Sequence, residues 1–347
     1  MSNGRTVSHG PGDHDKRFSP GTSFNLGDEQ LNEAISSGMR EVEELLAAEL
    51  AVGEEFVTDK VRYLAAAGGK RFRPMFALLA SRYGARAGSG EVVKAAAVVE
   101  MTHLATLYHD DVMDEADKRR GVDSANSRWG NSMAILAGDY LLARASRIMA
   151  QLGADTVAHF AETFGELVTG QMRETVGPRD GDPIEHYRDV VREKTGVLIA
   201  SAGYLGGLHG GAEPEQVDAL RRFGYAIGTV FQIVDDIIDI YSDTDQSGKT
   251  PGTDLKEGVF TLPVLYALEE EGAVGDELRA RLTGPVAGDD EVAEVLELLH
   301  RSCGREKALA DVRHYVDLAE AELEKLPQND TTAALRHLTR FTVSRVG

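Results

Sequence analysis

From about residue 24 onward, apolar residues recur at three- and four-residue spacing almost without interruption. Strand-type alternation is scarce, so this periodicity admits little besides helices. In 90–115 the series runs Val92, Val93, Ala96, Val99, Leu104, Leu107. Segments 128–150, 154–176, 214–242 and 304–325 repeat it and are rich in Ala, Leu, Glu and Arg, all strong helix formers. Breaks are expected at Gly68-Gly69, Gly84 to Gly90, Gly177-Pro178, Gly210 to Pro214 and 243–258, the last a polar, Gly-rich surface loop. Ala134 to Leu142 and Ala226 to Ile240 are apolar on more than one face, which predicts a buried central layer of helices wrapped by others. The expectation is a single all-α domain over 24–347. Residues 1–23 hold four Gly, two Pro and four Ser but few large apolar side chains, and are expected to form a disordered tail.

Charge and cysteine content narrow the function classes. With 37 Lys+Arg against 57 Asp+Glu the net charge is −20, which argues against nucleic acid and against docking on anionic lipid. The single cysteine, Cys303, excludes an intrachain disulfide framework and a Cys-based zinc site. No run of 18 apolar residues suggests a membrane span, and no apolar stretch at the N-terminus suggests a secretory signal. A cytoplasmic protein is expected.

Two clusters carry the chemistry. Asp110-Asp111-Val-Met-Asp114 closes the helix that begins near 90, and Asp235-Asp236-Ile-Ile-Asp239 lies near the end of the helix that begins near 214. Residues i and i+4 share a helix face, so Asp110 pairs with Asp114 and Asp235 with Asp239. Carboxylates among apolar neighbours are costly unless paired or metal-bound. One such cluster reads as a solvated helix end; two of identical form point to a metal site. Oxygen-only donors select hard cations, and Mg²⁺ also binds substrate phosphate. Metal thereby reconciles an anionic protein with an anionic substrate.

Gly68-Gly69-Lys70-Arg71-Phe72-Arg73-Pro74 joins two helices. Its glycines permit left-handed geometry, Pro74 suits a first helical turn, and Lys70 and Arg73 could hold a diphosphate. Lys118-Arg119-Arg120-Gly121 follows the first cluster as a second clamp, and His103 lies about two turns before Asp110 on the same face. Taken alone, each of these reads as an exposed turn, a solvated loop or a packed histidine.

In order and spacing, the segments G-G-K-R-x-R-P, D-D-x-x-D with R-R-G, K-T, F-Q-x-x-D-D-x-x-D and G-T-D resemble the trans-isoprenyl diphosphate synthases over residues 30–345. The resemblance implies an orthogonal helical bundle with a deep central cavity, usually a homodimer. It implies condensation of isopentenyl diphosphate with an allylic diphosphate (farnesyl or geranylgeranyl), assisted by three Mg²⁺ ions, with Mn²⁺ as a substitute. By the same resemblance Asp110, Asp114, Asp235 and Asp239 are the metal residues, Asp239 acting through water. Lys70, Arg73, His103 and Arg120 match the isopentenyl diphosphate clamp. Arg119, Lys194 and Lys249 match the cations on the allylic diphosphate, and Thr195 and Gln232 the polar groups beside the reacting carbons. Gln171 and Glu174 are expected to face the second metal region. One departure stands out: Val259 follows Glu257-Gly258 where many members place a lysine, and Lys256 is expected to point elsewhere.

The growing chain is expected to run along the first cluster's own helix, past Thr106, Ala105, Thr102, Met101 and Val98. No aromatic residue blocks 91–107, whereas short-chain members often place Phe or Tyr at the positions of Ala105 and Thr106. An open path implies a long product of about seven to nine isoprene units, for a quinone side chain, whose release would call for loose membrane association. A floor from Met133 or Phe164 would give a farnesyl- or geranylgeranyl-length product instead. A non-catalytic subunit of a heteromeric synthase would be expected to lack part of one cluster, and a terpene cyclase would not need Lys70 and Arg73. Trp129-Gly130-Asn131 is read as a helix start, Glu269 to Glu271 as a solvated face and Cys303 as a buried small apolar residue.

Overall fold

Side-chain caps start several helices. Asp28, Ser89, Ser124, Asp182 and Asn329 each accept a backbone N–H of the turn that follows. Glu213 and Gln216 form a reciprocal capping box around Pro214. The computed structural model describes residues 26–242 and 251–346, so the expected tail, and Lys249 with most of its loop, lie outside the described residues.

The elements run α1 (Glu29–Leu50), α2 (Glu55–Ala66), α3 (Phe72–Ser81) and α4 (Gly90–Met113), then a small antiparallel hairpin of β1 (Lys118–Arg119) and β2 (Val122–Asp123). There follow α5 (Ala125–Trp129), α6 (Asn131–Leu152), α7 (Ala154–Val176) and α8 (Pro183–Val191). A π turn, Arg192–Gly196, leads into α9 (Val197–Gly210) and α10 (Pro214–Tyr241). The remainder is α11 (Thr253–Glu257), α12 (Leu262–Leu268), α13 (Ala273–Arg281), α14 (Asp289–Arg301), α15 (Gly304–Leu323) and α16 (Asp330–Val343).

The expected central layer consists of α4, α9 and α10. Nearly every residue of α9 is buried, against α3, α4 and α10. Two glycines permit this closeness. A Cβ on Gly206 would lie 2.2 Å from the Ala77 carbonyl oxygen, and one on Gly224 would lie 2.5 Å from Ala200 Cα. One core joins Leu26, near the start of the described chain, to Val346 at its end, so the bundle is a single domain.

Three local expectations need correction. Ala134 to Leu142 is buried on one face only, through Ala134, Ala137, Gly138 and Leu141, while Ile135 and Leu136 are exposed. Trp129 ends α5, and the helix expected there starts two residues later, at Asn131, with Gly130 at φ 85° as its cap. Cys303 is half-buried, and its N–H donates to Glu270 at 2.8 Å, so Glu270 anchors a helix start and is more than a solvated acid.

Candidate active site

The last turn of α4 presents Asp110, and Asp114 caps it, donating its N–H to the Asp110 carbonyl at 2.8 Å. Burial pushes the Asp110 carboxyl up to about 6; nearby Lys194 opposes that shift and Asp114 adds to it. Asp111 turns inward with no exposure. Its Oδ1 accepts from Arg119 Nε at 2.6 Å, while its Oδ2 is buried without a hydrogen-bond partner. Arg119 is therefore engaged within the first cluster.

On α10, Asp235 faces Arg345, whose Nη1 donates to Oδ1 at 2.8 Å. Asp239 receives the chain that follows the described gap: Gly252 N–H donates to its carbonyl at 2.9 Å and Asp254 N–H to its Oδ2 at 3.4 Å. Glu257, on α11, links the two clusters electrostatically. Its carboxyl is raised by burial and by the charges of both Asp114 and Asp239. Carboxylates from α4, α10 and α11 thus repel one another across a single region. Among the described residues no three His, Cys, Asp or Glu side chains form a metal cage by themselves. An oxygen-only set that strains against its own charge fits a hard divalent cation whose remaining ligands come from substrate or water.

The basic turn is held by backbone strain. Gly68 (φ 87°) and Arg71 (φ 51°) are left-handed, and Pro74 sits in the first turn of α3 as expected. Arg71 braces the turn: it donates to Glu43 at 2.6 Å, to Glu100 at 2.7 Å and to the Ala65 carbonyl at 3.1 Å. Arg73 follows it half-buried, and its Nε is buried without a hydrogen-bond partner. Burial, with Arg120 adding, pushes its guanidinium down to about 10. His103 is held well below its ordinary range by burial and by Arg73, Arg120, Arg71 and Arg119. Arg120 and Gly121, both at positive φ, make the tight turn between β1 and β2. That strained conformation aims Arg120 back at the Leu64 and Gly68 carbonyls. The structure therefore gathers Arg73, His103 and Arg120 as expected, and Lys70 is exposed at the rim. Such a surplus of cations over Glu100 suits an anion.

Beside the first acidic cluster lies the π turn, whose Lys194 acts on Asp110. Such turns inside helices favour functional positions. Glu193 within it accepts from Arg173 Nε at 2.9 Å, and Gly170 leaves room for its backbone. The turn sends Lys194 to Glu174 and Thr195 to Gln232, whose Oε1 accepts from Thr195 Oγ1 at 3.2 Å. Glu174 thus holds Lys194 beside Asp110, and Gln171 Oε1 is buried nearby on α7 without a partner. Lys256 points away, to Asp289 at 2.7 Å. Val259 is exposed.

Of the residues expected to set product length, Thr106 is half-buried on the face of Asp110 and donates to the His103 carbonyl at 2.8 Å. Ala105 and Met101 are fully buried, Ala105 in a cluster with Leu50, Val61, Leu64 and Leu141. Sequence reasoning missed Glu43, Glu100, Glu257 and Arg345. Only Glu100 carried a local signal, as a lone acid inside the apolar run Val98 to Met101.

A helical bundle that sets two acidic helix ends beside an arginine-rich turn is the architecture of the isoprenoid synthases. The chain belongs to the polyprenyl synthetase family, a family of prenyltransferases, whose model matches residues 54–299. It is 53% identical over 323 residues to a nonaprenyl diphosphate synthase of Mycobacterium tuberculosis, covering 93% of this chain and 96% of that protein. Among solved structures it resembles a geranylgeranyl pyrophosphate synthase from Corynebacterium glutamicum, complexed with calcium and isoprenyl diphosphate. There the identity is 65% and the TM-score 0.87, over 93% of this chain and 100% of that one. A decaprenyl diphosphate synthase from Rhodobacter capsulatus aligns with TM-score 0.82 and 31% identity, over 92% of this chain and 99% of that one.

Proposed function

We infer that this enzyme joins isopentenyl diphosphate head-to-tail to a farnesyl or geranylgeranyl diphosphate primer and repeats the step, making an all-E polyprenyl diphosphate of about seven to nine units. The observation that carries this reading is that the acidic ends of α4 and α10 meet at Glu257 and share Arg119 with the Arg73–His103–Arg120 cluster. Bound at the aspartates, Mg²⁺ (three ions by family resemblance, with Mn²⁺ as a substitute) would supply charge to the departing diphosphate. Lys194, beside Asp110, adds a fixed cation on that side, and so would Arg119. Lys70, Arg73, His103 and Arg120 hold the second diphosphate and orient its double bond. Thr195 and Gln232 line the reacting carbons, where buried packing excludes water that would quench an allylic cation.

Length of product has two readings. The absence of aromatic residues from 91 to 107 and the nonaprenyl relative favour a long chain, suited to a quinone side chain. The 65% identical geranylgeranyl synthase favours a product of four units, for terpenoid supply.

Val157, Val168, Met172 and Val176 make an exposed apolar stripe along α7, and Ile135 and Leu136 are exposed on the neighbouring α6. A second copy of the chain would bury it, so we assign a homodimer. No described helix is long and apolar enough to cross a membrane. We place the enzyme in the cytoplasm, in loose contact with a membrane when a long product leaves. Diphosphate release from farnesyl and isopentenyl diphosphates tests the chemistry. It should require both substrates and Mg²⁺ and fall by about a thousandfold or more in Asp110→Asn and Asp235→Asn. Release from the allylic substrate alone at the full rate would contradict it.

A further inference from the structure

Asp236 belongs to the second acidic cluster by sequence but not by position. It is only 4% exposed and faces the interior. Its Oδ1 accepts from Gln232 Nε2 at 2.9 Å, and its Oδ2 accepts from the phenol of Tyr187 on α8. Gln232 Oε1 in turn accepts from Thr195 Oγ1 at 3.2 Å. Side chains from α8, the π turn and α10 thus form one chain: Tyr187, Asp236, Gln232, Thr195.

The direction of that chain follows from donor and acceptor chemistry. In the structure Gln232 turns its NH₂ to Asp236 and its oxygen to Thr195. Thr195 has one hydroxyl proton and directs it at Gln232. What remains of that hydroxyl is its lone pairs, and it can act only as an acceptor toward anything else beside it. The Tyr187 phenol fixes the far end. Without it Asp236 Oδ2 would be buried with no donor, the carboxylate could rotate, and the Gln232 amide could flip. A flipped amide would offer N–H to Thr195 and turn the threonine proton outward.

We propose that Tyr187 is a positioning residue which, through Asp236 and Gln232, holds the Thr195 hydroxyl as an acceptor toward the reacting carbons. This rests on the reading above that Thr195 and Gln232 line those carbons. An acceptor there favours developing positive charge, and an outward-pointing hydroxyl proton opposes it. Tyr187 itself touches no substrate. Its effect is on turnover and not on substrate affinity.

Steady-state kinetics of Tyr187→Phe, Thr195→Val and the double variant test this, with thermal unfolding of each as the folding control. Tyr187→Phe should lower kcat about tenfold, with both KM values within about twofold of wild type. Thr195→Val should lower kcat at least as much, and Thr195→Ser, which keeps the hydroxyl, should restore most of it. The double variant should be no slower than Thr195→Val alone, because the chain acts as a unit. A wild-type kcat in Thr195→Val would overturn the reading of Thr195 and the proposal with it. A slow Thr195→Val beside a wild-type kcat in Tyr187→Phe, or losses that multiply in the double variant, would overturn only the role of Tyr187. Should Tyr187→Phe not fold, Tyr187→Met, which also lacks the hydroxyl, takes its place in the cycle with Thr195→Val. Losses that do not multiply support the proposal, and multiplying losses overturn it.

Discussion

Arg345, near the C-terminus, donates from Nη1 to Oδ1 of Asp235 at 2.8 Å, across 110 residues of sequence. The guanidinium occupies one oxygen of a carboxylate assigned to metal. The same chain end is anchored twice more, by the Val346 carbonyl accepting from Arg305 at 2.8 Å and by the buried Val346 side chain. Both partners of the ion pair are partly exposed, so it adds only ~0–1 kcal/mol of stability. Arg345→Gln should therefore leave the unfolding midpoint nearly unchanged while lowering the half-saturating Mg²⁺ concentration, about two- to threefold. Calorimetric Mg²⁺ titration in the presence of inorganic diphosphate checks this. An unchanged midpoint and an unchanged Mg²⁺ requirement would mean the pair does not compete with metal.

The raised Asp110 carboxyl has a signed consequence for stability. Its folded value of about 6 lies above the ordinary unfolded range near 4, so the folded state holds more protons between those values. Its contribution to stability is present at about pH 4 and is lost as pH rises through about 6. His103 and His159 are shifted downward and act in the opposite sense, so total stability against pH is not diagnostic. The difference between Asp110→Asn and wild type is. Without metal, the variant should gain stability relative to wild type as pH rises from about 4 to about 6.5, and the gain should level off above that. Denaturant unfolding at a series of pH values measures it, and a difference independent of pH would refute the assignment.

Arg71 and Arg73 stand two residues apart and do different work. Arg71 bridges Glu43 and the 2% exposed Glu100, whereas Arg73 Nε has no partner. Arg71→Ala removes the hydrogen-bonded partner of the buried Glu100 but leaves the charges of Arg73 and Arg120 beside it, and should cost ~1–3 kcal/mol in denaturant unfolding. Arg73→Ala should cost far less stability and act on the KM for isopentenyl diphosphate.

The helices were legible because their signal is local. The periodic segments 90–115, 154–176 and 214–242 became α4, α7 and α10 within a residue or two. The two aspartate clusters stood out by residue type and spacing, whereas the grouping of Arg73, His103 and Arg120 was expected only from the family resemblance. What escaped depends on distant partners. Nothing near Arg71 announces Glu43 or Glu100, nothing near Asp235 announces Arg345, and nothing near Gln232 announces Tyr187. Exposure of Ile135 and Leu136 escaped for a related reason. An apolar face looks the same in sequence whether it packs on the core or stays exposed.

Product length should respond to bulk ahead of Asp110. Thr106→Phe places a ring on the half-buried face that Thr106 shares with Asp110, and it should shorten the product by two or more units with overall turnover retained. Ala105→Phe should shorten it as well, at a packing cost of ~1–3 kcal/mol because Ala105 is fully buried. Chromatographic sizing of the products of each variant checks both. An unchanged distribution in both would move the floor to another helix, with Phe164 on α7 the next residue to vary.

The most direct measurement is product analysis of the unaltered protein. It would receive Mg²⁺, labelled isopentenyl diphosphate and farnesyl diphosphate, and the dephosphorylated products would be sized against prenyl alcohol standards. The account predicts a dominant band of about seven to nine units. A band stopping at four units would contradict the long-chain reading and favour the geranylgeranyl-length one. No elongated product under any Mg²⁺ concentration would contradict the assignment of the two aspartate clusters and the arginine-rich turn to prenyl transfer in this chain.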